Sequence, residues 1–186
     1  EPESMPLNVK VVLIGTPLLY YLLRSHDEDF AKLFKVKAEF ASLMDRSKET
    51  EREYALFVKA VIDENNLLPF DHTAVARIIE HGSRLAENQD KLSTRFGNIA
   101  DLIRESAHWA QKGKGKIVNA ASVDRAIDEA TYRSNLVEER LQDMVNEGSL
   151  LIDVRGEKVG QINALSVLEI GGYAFGRPTR ITATVY

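Results

Sequence analysis

Between residues 50 and 147 the apolar residues of this 186-residue chain recur at spacings of three and four; on either side they run consecutively or alternate. This change of period is the strongest constraint on the fold, because a spacing of 3.6 sets one buried face along a helix and a spacing of two sets one along a strand. The middle therefore reads as helices and the flanks as strands. Thr50 with Glu53 makes a capping-box pattern for a first helix, whose apolar face is Tyr54, Phe57, Val58, Val61 and Ile62 and which stops at Asn65–Asn66. Asp71 is placed to cap a second, with Phe70 and Val75 at staple spacing and Val75, Ile78, Ile79, Gly82 and Leu85 on one side. A third spans 98–111 through Ile99, Leu102, Ile103 and Ala110, and "KGKGK" (112–116) breaks it. Ser122 is placed to cap a longer fourth, with Val123, Ala126, Ile127, Ala130, Val137, Leu141, Met144 and Val145 along it and Gly148 at its end.

The flanks carry a different pattern. "VKVVLIG" (9–15) is a β-branched and aliphatic run of the kind buried on both faces of a parallel sheet. Short helical pieces are expected in "PLLYYLLRSHDEDFAKLF" (17–34), and "KVKAEF" (35–40) alternates like a second strand. After Gly148, "LLIDV" and "VGQIN" joined through "RGEK" predict a β-hairpin. "LSVLEI" follows, then the glycine-rich bend "GGYAFGRP" and a terminal strand in "RITATVY". The predicted class is mainly α with flanking β, a four-helix unit between strands whose partners are not in sight. Both ends are expected to be cuts within a longer polypeptide.

Composition narrows the chemistry. The net charge of −4 supplies no global basic field for nucleic acid or anionic lipid. There is no cysteine, so disulfides and thiolate metal sites are excluded, in keeping with a reducing, cytoplasmic setting. No apolar run approaches the roughly 20 residues of a membrane span. No membrane and no nucleic-acid partner is expected.

Motif by motif, the bland reading prevails. Gly113-Lys114-Gly115-Lys116 follows a helix and lacks the hydroxyl of a phosphate-binding loop. His26, His72, His81 and His108 form no close zinc-type pair. Glu105 and His108 make one Glu-x-x-His, where a di-iron bundle needs two such motifs and further glutamates. Ser166 sits mid-strand without a glycine elbow or an assignable base. A helix-turn-helix over 71–95 has a long turn and an acidic second helix, against phosphate contact. Arg95, in "LSTRFGNIADLIRES" beside Lys91, reads on periodicity alone as an exposed arginine.

Longer stretches carry a resemblance. "VKVVLIG", "DEDFAKLFKVKAEF", "LLPFDHTAVARIIEHGSRLAENQDKLSTRFGNIADLIRESAHWA" and "GEKVGQINALSVLEIGGYAFGRPTRITATV" together look like the Lon-related ATP-dependent proteases, in the LonB-like branch fused to an AAA+ module. "VGQINALSV" and "FGRPTRITA" resemble the start of the Lon protease domain, usually with glycine where Ala164 stands. The resemblance implies three parts: the end of an ATPase large domain (1–45), a helical lid (46–148) and the first β segment of a protease domain (149–186). It also implies a parent that uses ATP and Mg, forms a homo-oligomeric ring and cuts protein substrates with a Ser-Lys dyad, none of whose catalytic residues falls in this chain. Thr16 matches the sensor 1 position, where relatives often have asparagine or aspartate, and Arg95 matches sensor 2 at the head of a lid helix. Where an arginine finger is expected, only Lys32 and Lys35 stand, point charges without the planar fork. The competing reading is a non-catalytic helical protein-interaction module derived from an AAA+ lid.

Overall fold

The computed structural model describes residues 8–184. The chain divides into two compact units between Ala41 and Ser42. In the first, helix α1 (Pro17–His26) is capped by Thr16, whose Oγ1 accepts from the Leu19 amide at 3.3 Å. Helix α2 (Phe30–Leu33) follows, and its Phe30 is the buried residue around which Tyr20 and Phe34 gather, at ring separations of 5.8 and 5.0 Å. The strands predicted at 9–15 and 35–40 do not form: both stretches are extended or irregular and exposed. A strand exists by its ladder of hydrogen bonds, and no described residue pairs with either stretch.

The second unit begins with strand β1 (Leu43–Asp45), antiparallel to β2 (Lys91–Ser93), with Met44 opposite Leu92. Neither three-residue strand was read from the sequence. Helix α3 (Lys48–Glu64) starts earlier than predicted, because Ser47 and Thr50 form the reciprocal capping box, in place of Thr50 and Glu53. Helix α4 (His72–Leu85) begins where expected: Asp71 accepts from the amides of Thr73 and Ala74, each at 2.9 Å. Helix α5 runs Phe96–Lys112. The predicted long fourth helix is two, α6 (Ala120–Ser134) and α7 (Leu136–Asn146), parted at Asn135. Asn119 caps α6 in place of Ser122, accepting from the Ser122 amide at 3.1 Å. Gly148, at φ 77°, lies just beyond the last turn of α7, where glycine tolerates the left-handed conformation.

One core holds α3 to α6 and β2 together. Tyr54, Val58 and Val61 of α3 meet Ala74 and Ile78 of α4, Leu92 of β2, Ile99, Ile103 and Ala107 of α5, and Val123 and Ala126 of α6. Val118, fully buried, bridges in parallel to Phe70 and ties the approach to α6 against the approach to α4. The hairpin is displaced from its predicted place. Residues 151–160 form no strand, and β3 (Gln161–Ile170) pairs with β4 (Tyr173–Thr182) over ten residues. Gly171 and Gly172, at φ 62° and 83°, supply the two left-handed positions of a two-residue hairpin turn, which "RGEK" cannot match. The last residues of the predicted terminal strand, Val185 and Tyr186, lie outside the described residues.

Candidate functional site

Arg95 stands at the corner where β2 turns into α5. It occupies the N-cap position of that helix, but its side chain makes no capping bond. The residue is exposed, and among the described residues its guanidinium has no ion-pair or hydrogen-bond partner. The backbone beneath it is tightly held. Its amide donates to Ser93 Oγ at 3.2 Å, and the Ser93 carbonyl accepts from Tyr54 Oη at 2.9 Å. Both Ser93 and Tyr54 are 1% exposed. Burial pushes the Tyr54 phenol up to about 12, so it stays a donor throughout the neutral range. Phe96, the first helical residue, lies between the rings of Tyr54 and Phe57, at 5.7 and 4.7 Å. Tyr54 in turn sits over Gly82 of α4, where an added Cβ would meet the phenol oxygen at 2.7 Å. Neighbouring Lys91 is committed to Asp45 across the β1–β2 pair, and that ammonium holds the Asp45 carboxyl below the usual range. A cation kept free on a fixed corner, at the positive end of a 17-residue helix, suits an anion with several oxygens.

Thr16 lies in the other unit. Its hydroxyl accepts from Leu19 at the head of α1, and among the described residues its own proton has no acceptor. Lys32, one of the two cations standing where an arginine finger is expected, is paired with Asp29 at 2.8 Å.

The remaining sequence motifs resolve into structural roles. Glu105 is bonded to Arg133 of α6 at 2.7 and 2.8 Å and to the Trp109 indole at 3.3 Å. Arg133 is the main cause that holds its carboxyl below the usual range. Lys112 and Arg125 cover the Trp109 ring at 4.4 and 4.3 Å, so this corner staples α5 to α6. Among the described residues no three His, Asp or Glu side chains gather as a metal site. The Ser166 hydroxyl donates across the hairpin to the Arg177 carbonyl at 3.3 Å. No helix among the described residues is long and apolar enough to cross a membrane. Sequence reasoning singled out Arg95 as a candidate, passed over Ser93 and read Tyr54 only as part of an apolar face. The one available cue was a polar pair, Ser93-Thr94, just ahead of the helix.

Comparison with known proteins follows the same order along the chain. Residues 1–41 match a family model described as LonB-like, AAA domain, and residues 69–133 match one described as Archaeal LonB, AAA+ ATPase LID domain. A Lon protease homolog of Escherichia coli (strain K12) is 27% identical over 98% of this chain, and one of Haemophilus influenzae is 25% identical over the same share. The Archaeal Lon protease of Thermoplasma acidophilum is 24% identical over 67% of the chain and 19% of its own length. The chain spans about a third of the two bacterial relatives, 31% and 30% of their lengths. Two models met in AAA-then-lid order, together with two bacterial relatives aligned along nearly the whole length, make the chain similar to Lon-related AAA+ sequences of the LonB-like branch.

Proposed function

We propose that residues 46–148 act as the lid of an AAA+ module in a Lon-type ATP-dependent serine protease, and that residues 149–186 begin its protease part. On this reading residues 1–45 close the ATPase large domain, and β1 ties the lid's entrance to β2. The observation that carries the reading is Arg95: an exposed, unpartnered guanidinium on a buried, hydrogen-bonded corner of the body that resembles the LonB lid. Bound ATP with Mg would supply the phosphoryl group whose hydrolysis drives the cycle. Arg95 would donate to its terminal oxygens, where charge develops, and help to orient the group. The residues here fit the anion, since the guanidinium is free and the helix end beneath it carries partial positive charge. The Thr16 hydroxyl, with its proton free, takes the sensor 1 role.

Coupling follows from the packing. Helices α3 to α6 share one core, so a force on Arg95 moves them together. Helix α6 passes at Asn135 into α7, and Tyr173 of β4 bonds to Glu138 of α7. Rotation of the lid is thereby handed to the hairpin, and in the assembled ring it drives unfolding and threading of protein substrates. Peptide bonds are then cut by a Ser-Lys pair outside these residues. The test is Arg95→Ala in the full-length polypeptide. ATP turnover should fall by about 10²-fold, the scale of a lost transition-state donor, while the melting temperature stays unchanged. Wild-type ATPase kinetics in that variant would remove Arg95 from the mechanism.

A further inference from the structure

We infer that Ser93 is the positioning residue for Arg95, with Tyr54 bracing it from behind; the inference rests on the sensor reading of Arg95 proposed above. Helices α3, α4 and α6 begin with a side chain that caps their own first amides: Ser47, Asp71 and Asn119. Helix α5 departs from that plan. Its cap position is given to Arg95, whose side chain caps nothing, and the hydroxyl near this corner belongs to Ser93, two residues earlier.

That hydroxyl accepts the Arg95 amide at 3.2 Å and so fixes the direction in which the arginine leaves the backbone. Ser93 is 1% exposed, and its carbonyl is held at 2.9 Å by Tyr54, which is also 1% exposed. A site that needed only to be filled would be served by alanine or valine. A buried hydroxyl is retained at a cost unless its bond does something. Here the bond sets the geometry of the one free cation at the corner among the described residues, and preorganisation of that kind acts on the chemical step more than on ground-state binding.

The experiment uses the full-length polypeptide and compares steady-state ATP turnover of Ser93→Ala, Ser93→Thr, Tyr54→Phe and Arg95→Ala, with Ser93→Ala and Tyr54→Phe also built on Arg95→Ala. Ser93→Ala should lower kcat about tenfold and leave KM within about twofold, the split expected when an interaction is made only in the transition state. Ser93→Thr, which keeps the hydroxyl, should restore most of the rate. Tyr54→Phe should give a smaller loss of the same kind and provides the measurement should Ser93→Ala fail to fold. On the Arg95→Ala background neither change should slow turnover further, because both act through that side chain. If Arg95→Ala is slow while Ser93→Ala and Tyr54→Phe turn over at the wild-type rate, Ser93 positions nothing and the sensor reading survives. An equal loss with and without Arg95 would make Ser93 merely structural. Unchanged kinetics in Arg95→Ala would overturn the sensor reading and this inference with it.

Discussion

The helices α3 to α6 and the segment from α7 to β4 come from one chain, yet they are built on different principles. The first group buries Tyr54, Val58, Ile78, Ile99, Ile103 and Val123 to below 2% exposure. Helix α7 has no buried residue, and the hairpin buries only Phe175, with Leu165 and Val167 each 74% exposed. Ten registered pairs make the hairpin regular, but regularity is local. A two-stranded ribbon without a covered apolar face is marginal in water. A body with a shared core moves as one piece, whereas a ribbon on an unburied helix bends. The difference assigns rigidity to the part that holds Arg95 and compliance to the part that leads away from it.

The largest expected effect lies in the core. Ile103→Ala should cost about 2–5 kcal/mol in urea unfolding followed by circular dichroism. Leu165→Ala on the hairpin should stay within about 0.5 kcal/mol. Equal losses at the two sites would erase the comparison. Next comes Gly82→Ala. Its methyl group would press into the Tyr54 phenol, and a loss of about 1–3 kcal/mol is expected from the overpacking. Accommodation without loss would mean that the α3–α4 contact is looser than the 2.7 Å approach implies.

Tyr54→Phe should cost about 1–3 kcal/mol, since it strands the buried Ser93 carbonyl. It should also change the alkaline limb. The Tyr54 phenol titrates near 10 when unfolded and about 12 when folded. Between those values the unfolded chain has lost the proton and the folded chain keeps it. Stability is therefore intact below pH about 10 and falls as pH rises toward 12. The phenylalanine variant should lose that part of the slope. The smallest effect is expected from Glu105→Gln. Arg133 holds the Glu105 carboxyl below the usual range, so its contribution is present at neutral pH and is lost as pH falls through that depressed value. Wild type and variant should differ slightly at pH 7 and converge in acid; a gap that widened in acid would contradict the pairing.

What the sequence made legible follows the same division. The periodic faces of α3, α4 and α5 could be read because burial enforces the period, and Asp71 could be read as a cap because its competitors are few. Caps moved where two candidates lay three residues apart, Ser47 against Thr50 and Asn119 against Ser122. The break at Asn135 was hidden because apolar residues continue on both sides of it. Strand-type runs misled at 9–15, 35–40 and 150–154, where no described residue forms a ladder with them, since a ladder depends on a partner that local pattern cannot name. Arg95 was singled out through resemblance. Its support was not, because the Tyr54–Ser93 bond joins residues 39 apart in sequence.

Amide hydrogen exchange across the whole chain tests the rigid body and compliant connector most directly. The account predicts that the slowest amides of α3, α4, α5 and α6 exchange together, through one global opening of their common core, while those of α7, β3 and β4 exchange far faster through local opening. Protection in α7 and the hairpin equal to that of α5, or an α5 whose first turn at Phe96 opens independently of the core, would contradict it.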